Sequence, residues 1–166
     1  MPVTVRPYRT TDFGPVNDLW RRARVVAFPE FQARKGHSAE EDRAYFGDVI
    51  LAKNRVYVAD MCGRVVGFMA IEDDFIDQLY VDPVNQRQGI GTSLIAHAKT
   101  LSPSGLHLFT FEANVQGRSF YEKHGFKVIS VGVSPPPESE PDVEYRWTPD
   151  EDIAGRMSAQ ISRRRR

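Results

Sequence analysis

A short segment with two glycines, Gln86 to Gly91, places the strongest constraint on how this chain folds. It follows a strand-like stretch that ends at Asp82 and Pro83, and it leads directly into an apolar helical pattern. A strand, a short loop and a helix start aim the unpaired first-turn amides of the helix at an anion. Glycine lets the backbone approach such a ligand closely, and Arg87 adds a charge-assisted hydrogen bond. The segment predicts a phosphate-binding loop, with a plain strand–helix turn as the alternative.

Two other phosphate loops are excluded by the residues present. A Walker loop requires a lysine after its last glycine, whereas Thr92 follows Gly91. A dinucleotide fingerprint requires a small third residue where Leu94 stands. The segment instead fits the pattern Gln/Arg-x-x-Gly-x-Gly/Ala.

The rest of the chain alternates between strand and helix patterns. The predicted strands are residues 3–6, 55–60, 64–71, 75–81, 106–112, 126–133 and 142–147, and the predicted helices are 12–27, 38–52, 91–101 and 114–125. Residues 31–37 are expected to form a loop, and Ser38 with Glu41 has the spacing of a capping box. Hairpins early in the chain and strand–helix–strand crossovers later predict an α+β fold, with a mixed, mostly antiparallel sheet flanked by helices.

Composition limits the domain count and the partners. A chain of 166 residues with 41% hydrophobic residues suits one domain, predicted here as residues 1–149, followed by a disordered basic tail, residues 150–166. Without the terminal Arg163 to Arg166, 18 basic residues face 22 acidic ones, so the body carries a net charge of −4. A mildly acidic body lacks the basic surface of a nucleic-acid binder, so no nucleic-acid partner is expected.

Cysteine and hydropathy patterns indicate the compartment. Cys62 is the only cysteine, which excludes an internal disulfide and a cysteine zinc cluster, and the four histidines are scattered, so no metal is expected. No signal-peptide pattern and no membrane-spanning run is present, so we expect a cytoplasmic protein without a membrane partner. The sequence leaves a homodimer open.

Two motifs together resemble the GNAT family of N-acetyltransferases. The stretch LYVDPVNQRQGIGTSLIAHA is similar to the family's core motif, and FEANVQGRSFYEKHGF is similar to its second signature, an asparagine followed by a helix with a tyrosine and then Gly-Phe. The predicted order of elements over residues 3–148 also agrees with the family fold. The resemblance implies an acetyl-CoA-dependent N-acetyltransferase that moves an acetyl group to a primary amine of a small molecule or of a peptide or protein, by direct transfer in a ternary complex. The alternative is a non-catalytic acyl-CoA-binding sensor or scaffold.

The resemblance assigns roles to individual residues. It implies that the strand before the loop pairs its backbone with the pantetheine arm of acetyl-CoA, with the amide of Val81 near the thioester carbonyl. It also implies that Asn114 contacts this arm and that Tyr121 protonates the departing thiolate, although Tyr121 could instead only pack beside Phe120 and Phe126. The implied cofactor-binding residues are Leu79, Tyr80, Val81, Gln86, Arg87, Gln88, Gly89, Ile90, Gly91, Thr92, Asn114, Ser119 and Tyr121.

The general base and the acceptor pocket are less defined. Residues of equal parity in a strand share a face, so Asp73, Asp77 and Leu79 are expected to point the same way, and Asp77 is the first candidate for the base. Glu72 and Glu112 remain alternatives. In the family the first two helices and the loop between them, here about Trp20 to Ser38, build most of the acceptor pocket, and the sequence does not name the acceptor.

Overall fold

The computed structural model describes residues 2–164, so the last two arginines of the terminal run lie outside the described residues. The strands are β1 Thr4–Pro7, β2 Arg55–Met61, β3 Arg64–Glu72, β4 Phe75–Val81, β5 Leu106–Phe111, β6 Lys127–Val133 and β7 Pro141–Trp147. The helices are α1 Phe13–Ala27, α2 Pro29–Lys35, α3 Ala39–Tyr45, a π-helical turn Phe46–Ile50, α4 Leu51–Lys53, α5 Ile90–Leu101, α6 Val115–Lys123 and α7 Pro149–Arg164.

The chain divides into two compact units, Met1–Ala98 and Lys99–Arg166. In the first unit β1, β2, β3 and β4 are neighbours in that order, and in the second unit β7 lies between β5 and β6. Each of these pairings is antiparallel. Helices accompany these mostly antiparallel strands, which confirms the predicted α+β class.

Helices cover both faces of the sheet in the first unit. On one face α1 and the π-helical turn pack against β2 and β3, in a core of Val16, Leu19, Trp20, Phe46, Ile50, Val56, Val58, Phe68 and Ala70. On the opposite face α5 approaches so closely that a side chain at Gly67 would lie 3.1 Å from Ile90. Helix α1 turns one apolar face to this core, because Val16, Leu19, Trp20 and Ala23 are all buried.

The predicted local signals of the first unit are present in the structure. Ser38 accepts a hydrogen bond from the amide of Glu41 at 3.1 Å, and the Glu41 carboxylate accepts one from the amide of Ser38 at 2.7 Å. The hairpin between β2 and β3 turns through Cys62 and Gly63, both at positive φ.

The loop predicted for residues 31–37 is wrong, because helix α2 occupies Pro29–Lys35. The physical reason is that a proline which ends one helix is also favoured at the first position of the next.

A helix occupies the segment for which a disordered tail was predicted. Helix α7 runs from Pro149 to Arg164, and its first turn carries three acidic residues, as helix starts favour. The Asp152 carboxylate lies 3.6 Å from the Lys99 ammonium, within the second unit. The domain boundary at residue 149 stays a prediction. Throughout residues 2–164, no helix has both the length and the apolarity that crossing a membrane requires.

Candidate functional site

Strand β4 carries a β-bulge at Asp77. Gln78 pairs with Ala70 and Ile76 pairs with Ile71, so Asp77 has no partner residue on β3. Beyond the bulge, Gln78 shares the face of Ala70, which belongs to the core under α1, whereas Leu79 pairs with Met69 and points to the opposite face.

The bulge overturns the parity argument. Asp77 is hydrogen-bonded on the α1 side of the sheet, and Asp73 lies in the preceding turn with φ 52° rather than in the strand. The prediction that Asp73, Asp77 and Leu79 share a face is therefore wrong. The physical reason is that one inserted residue shifts the alternation of all that follow.

Asp77 is held by an asparagine that sequence reasoning missed. The side-chain amide of Asn54 donates to Asp77 Oδ2 at 2.9 Å and also to the carbonyl of Ile50 at 3.1 Å. Asn54 lies just after α4, 23 positions before Asp77, and no local pattern marks the pair. One carboxylate oxygen of Asp77 is thereby fixed, and the group remains only partly buried.

Tyr80 lies near Asp77 and is neutral at physiological pH. Burial raises the pKa of Tyr80 to about 12, with the nearby Arg24 guanidinium opposing and the Asp77 carboxylate adding to the rise. Its ring stacks 6.0 Å from that of Phe68, and part of its surface stays open. The hydroxyl of Tyr80 can therefore act as a hydrogen-bond donor but not as a base.

The two alternative carboxylates, Glu72 and Glu112, are both solvated. Glu72, at the end of β3, lies 3.9 Å from the Lys53 ammonium, and both side chains are exposed to a large extent. Glu112 follows β5 and is exposed. In the described part of the chain, no group of three or more His, Cys, Asp or Glu side chains is arranged to hold a metal ion.

The glycine loop adopts a backbone shape suited to an anion. Arg87 has φ 62° and Gly89 has φ 80°, and helix α5 begins directly afterwards at Ile90. Left-handed residues at alternate positions turn successive backbone N–H groups towards one concave side, a geometry that binds phosphate groups. Gly91 is already helical and has no positive φ, so the two glycines serve different purposes.

The loop is exposed but its ends are anchored. Residues 86–89 and Thr92 are exposed, whereas Ile90 and Leu94 are buried against the sheet. Before the loop, the Asp82 carboxylate accepts hydrogen bonds from the Arg22 guanidinium at 2.7 Å and from the amide of Val84 at 3.4 Å. The contact from Arg22 also escaped sequence reasoning, because the two residues are 60 positions apart.

In the second unit, Asn114 is the N-cap of α6. Its side-chain oxygen accepts from the amide of Gly117 at 3.1 Å, and its amide nitrogen donates to the Thr110 hydroxyl at 3.0 Å. A side chain at Gly117 would overlap the Asn114 amide, which explains why glycine occupies that position. Asn114 therefore has a structural role as a cap, and its side-chain amide has a second hydrogen that can donate to a ligand.

Tyr121 lies in α6 and its ring is enclosed by aromatic neighbours. The ring centroids of Phe120, Phe126 and Tyr145 lie 5.3, 5.7 and 6.2 Å away. Tyr121 is only 9% exposed, whereas Ser119 on the same helix is exposed. Tyr121 packs beside Phe120 and Phe126, as the alternative interpretation of the sequence predicts. This packing does not exclude an acid role for the Tyr121 hydroxyl.

Known proteins that are similar to this chain belong to the family that the two motifs resemble. The family described as Acetyltransferase (GNAT) domain matches residues 52–128. The peptidyl-lysine N-acetyltransferase YjaB of Salmonella typhimurium is 35% identical over 128 residues, which make up 77% of this chain and 86% of that enzyme.

Two solved structures of N-acetyltransferases have a fold similar to that of this chain. The apo form of YjaB from Escherichia coli has a TM-score of 0.72 and 26% identity, covering 89% of this chain and 98% of that chain. The PaiA N-acetyltransferase of Thermoplasma acidophilum, solved in complex with coenzyme A, has a TM-score of 0.66 and 20% identity, covering 89% of this chain and 99% of that chain. At this lower identity the likeness concerns the fold alone.

Proposed function

This chain belongs to the GNAT family of N-acetyltransferases, and from this premise we propose that it transfers the acetyl group of acetyl-CoA to the side-chain amine of a lysine in a peptide or protein. The resemblance seen in the two motifs is confirmed, and with it the predicted enzyme class, the amine acceptor and the cosubstrate. The similarity to a peptidyl-lysine enzyme over most of both chains carries the choice of lysine. The relatives give no support to the alternative of a non-catalytic sensor.

The proposed site for the pyrophosphate of acetyl-CoA is the glycine loop. The residues assigned to it are Gln86, Arg87, Gln88, Gly89, Ile90, Gly91 and Thr92. The positive φ values of Arg87 and Gly89 and the following helix start support this assignment, because they direct backbone N–H groups to one side. The Arg87 guanidinium adds a positive charge at an exposed position, where it can follow the ligand.

The proposed site for the pantetheine arm is the backbone of β4 beyond the bulge. Leu79, Tyr80 and Val81 contribute main-chain groups, and the amide of Val81 polarises the thioester carbonyl. The bulge at Asp77 supports this role, since bulges bend a strand and increase its twist. Asn114 and Ser119 are assigned to the same arm, in the second unit.

Acetyl transfer needs a neutral amine, and we assign its deprotonation to Asp77. The hydrogen bond from Asn54 to Oδ2 fixes the carboxylate in one orientation, which supports a defined role. The amine nitrogen attacks the carbonyl carbon, and its proton passes to the carboxylate directly or through a water molecule. Tyr80, kept neutral by its raised pKa, does not compete for this proton.

Collapse of the tetrahedral adduct breaks the carbon–sulfur bond, and we assign the proton for the thiolate to the Tyr121 hydroxyl. A phenol hydroxyl donates to a developing thiolate without being charged beforehand. The enclosed ring of Tyr121 supports a fixed position for the hydroxyl. A cytoplasmic location and a homodimer stay predictions.

Three acceptors of equal length distinguish the proposed substrate from other amines. The first peptide carries one lysine and a blocked N-terminus, the second has that lysine replaced by norleucine and a free N-terminus, and the third has both amines blocked. With acetyl-CoA, thiol release and mass spectrometry are expected to show one acetyl group on the lysine of the first peptide only. Acetylation of the second peptide alone, or of free small amines alone, would remove the lysine proposal while leaving the enzyme class intact.

A further inference from the structure

Tyr145 in β7 has a buried hydroxyl that is hydrogen-bonded on two sides. Its side chain is 0% exposed. The hydroxyl accepts a hydrogen bond from Nε of Arg118 at 3.1 Å and donates one to Oε1 of Glu122 at 2.9 Å. Arg118 and Glu122 are one turn apart in α6, so a single hydroxyl ties two successive turns of this helix to the strand.

The same tyrosine touches the residue to which the proposed function assigns proton donation. Tyr121 lies between Arg118 and Glu122 in sequence, and its ring centroid is 6.2 Å from that of Tyr145. Tyr145 therefore limits both the rotation of the helix that carries Tyr121 and the space open to the Tyr121 ring.

The direction of the two hydrogen bonds is fixed by charge. Arg118 can only donate, and an ionised Glu122 can only accept, so the hydroxyl must be protonated to satisfy both. Burial raises the pKa of Tyr145 above its ordinary value, while the hydrogen bond from Arg118 opposes the rise and the Glu122 carboxylate adds to it. The hydroxyl therefore stays protonated over the physiological range. Charge-assisted bonds of this kind are stronger than neutral ones.

We propose that Tyr145 is a positioning residue that sets the place of the Tyr121 hydroxyl by holding α6 through Arg118 and Glu122. The proposal rests on the acid role assigned to Tyr121. Catalysis by a positioned group is sensitive to small displacements, so loss of this connection is expected to lower kcat even though Tyr145 itself contacts no reacting atom.

A double-mutant cycle tests the proposal. Tyr145→Phe removes the hydroxyl and keeps the ring, and we expect kcat to fall by about five- to tenfold while the KM for acetyl-CoA changes by less than about twofold. In the Tyr121→Phe background, Tyr145→Phe is expected to cause no further loss, because the group that it positions is already absent. Tyr57→Phe in β2 is the matched control and is expected to keep the wild-type kcat.

The possible outcomes separate this proposal from the assigned acid role. Wild-type kcat in Tyr145→Phe, or equal losses from Tyr145→Phe in both backgrounds, would overturn the positioning role while leaving the acid role in place. Full activity in Tyr121→Phe alone would instead remove the acid role, and the positioning role with it.

Should Tyr145→Phe fail to fold, Glu122→Ala offers a second variant. Glu122 is exposed, so its truncation removes one of the two hydrogen bonds without opening the core. A smaller loss of kcat that disappears in the Tyr121→Phe background supports the proposal. A loss that persists there contradicts it.

Discussion

The guanidinium of Arg22 in α1 donates a hydrogen bond over 2.7 Å to the carboxylate of Asp82, the residue at which β4 passes into the glycine loop. The Asp82 side chain is 6% exposed, whereas that of Arg22 is 53% exposed. Asp82 also accepts from the amide of Val84, and its own amide donates to the carbonyl of Val66. Helix α1 is thereby connected to the start of the loop that we assign to the pyrophosphate.

Arg22→Gln is expected to weaken coenzyme A binding without unfolding the protein. The substitution removes the contact that holds the start of the loop, and we expect the free energy of coenzyme A binding to weaken by about 1 kcal/mol, which is about a fivefold rise in Kd. Calorimetry with coenzyme A measures the change. Arg43→Gln, which removes an exposed pair with Asp18 in the same unit, is the control and is expected to bind as the wild type does. Equal affinity for coenzyme A in the wild type and both variants would show that the Arg22–Asp82 contact does not affect binding at the loop.

Gly89→Ala is expected to weaken coenzyme A binding through the backbone alone. A Cβ at position 89 has no atom within 4 Å, but the φ of 80° costs an alanine about 1–2 kcal/mol. Gly89→Asn should bind better than Gly89→Ala, because asparagine tolerates this conformation. Gly155→Ala is the control, since Gly155 lies inside helix α7 and is equally open, and it is expected to stabilise the chain by about 0.5–1 kcal/mol. A folded Gly89→Ala protein with wild-type affinity would argue against the proposed pyrophosphate site.

Acidification below about pH 6.5 is expected to destabilise the protein through two histidines. Burial lowers the pKa of His97 and of His124 below the ordinary 6.5, with Arg55 contributing at His97 and Lys99 at His124. Between the ordinary and the lowered values the unfolded chain binds more protons than the folded one, so stability falls as the pH falls. Urea unfolding between about pH 7.5 and 5.5 measures the slope. His124→Gln should flatten it, and an unchanged slope in both His124→Gln and His97→Gln would exclude this origin.

Gly125→Ala is expected to report on whether α7 packs against the end of α6. Gly125 has φ 88°, and a Cβ there would overlap the carboxylate of Asp152 in α7. The substitution therefore combines backbone strain with a steric clash, and the melting temperature should fall by several degrees. Asp152→Ala relieves only the clash, so Gly125→Ala should cost less in that background. Equal losses in the two backgrounds would show that Asp152 does not occupy this position.

Local signals in the sequence were sufficient for most of the fold. The Ser38–Glu41 capping box and the Cys62–Gly63 turn are formed by residues within three positions of one another, so their chemistry is visible in the printed order. The motif that predicted the phosphate loop is local in the same sense. Helix α2, where the sequence predicts a loop over residues 31–37, begins at Pro29, and a proline both ends one helix and suits the first position of the next.

The details of the candidate site depend on contacts between distant segments. Asp77 is a bulge residue only because of the register of β4 on β3, and alternation along the strand alone predicts the wrong face. The hydrogen bond between Arg118 and Tyr145 spans 27 positions of sequence. The family motifs could place Asn114 and Tyr121 in one helix, but they gave no indication of the residues that hold that helix.

The most direct test of the account is acetyl transfer to a lysine peptide by wild-type protein and by Gly91→Glu, measured side by side with thiol release and mass spectrometry. A glutamate at the second residue of α5 places a negative charge where the account places the pyrophosphate, while the buried residues Ile90 and Leu94 still anchor the helix. We predict one acetyl group on the lysine for each thiol released by the wild type, and neither acetylation nor coenzyme A binding in folded Gly91→Glu. Acetylation at equal rates by the two proteins, or none by either with any lysine peptide, would contradict the account.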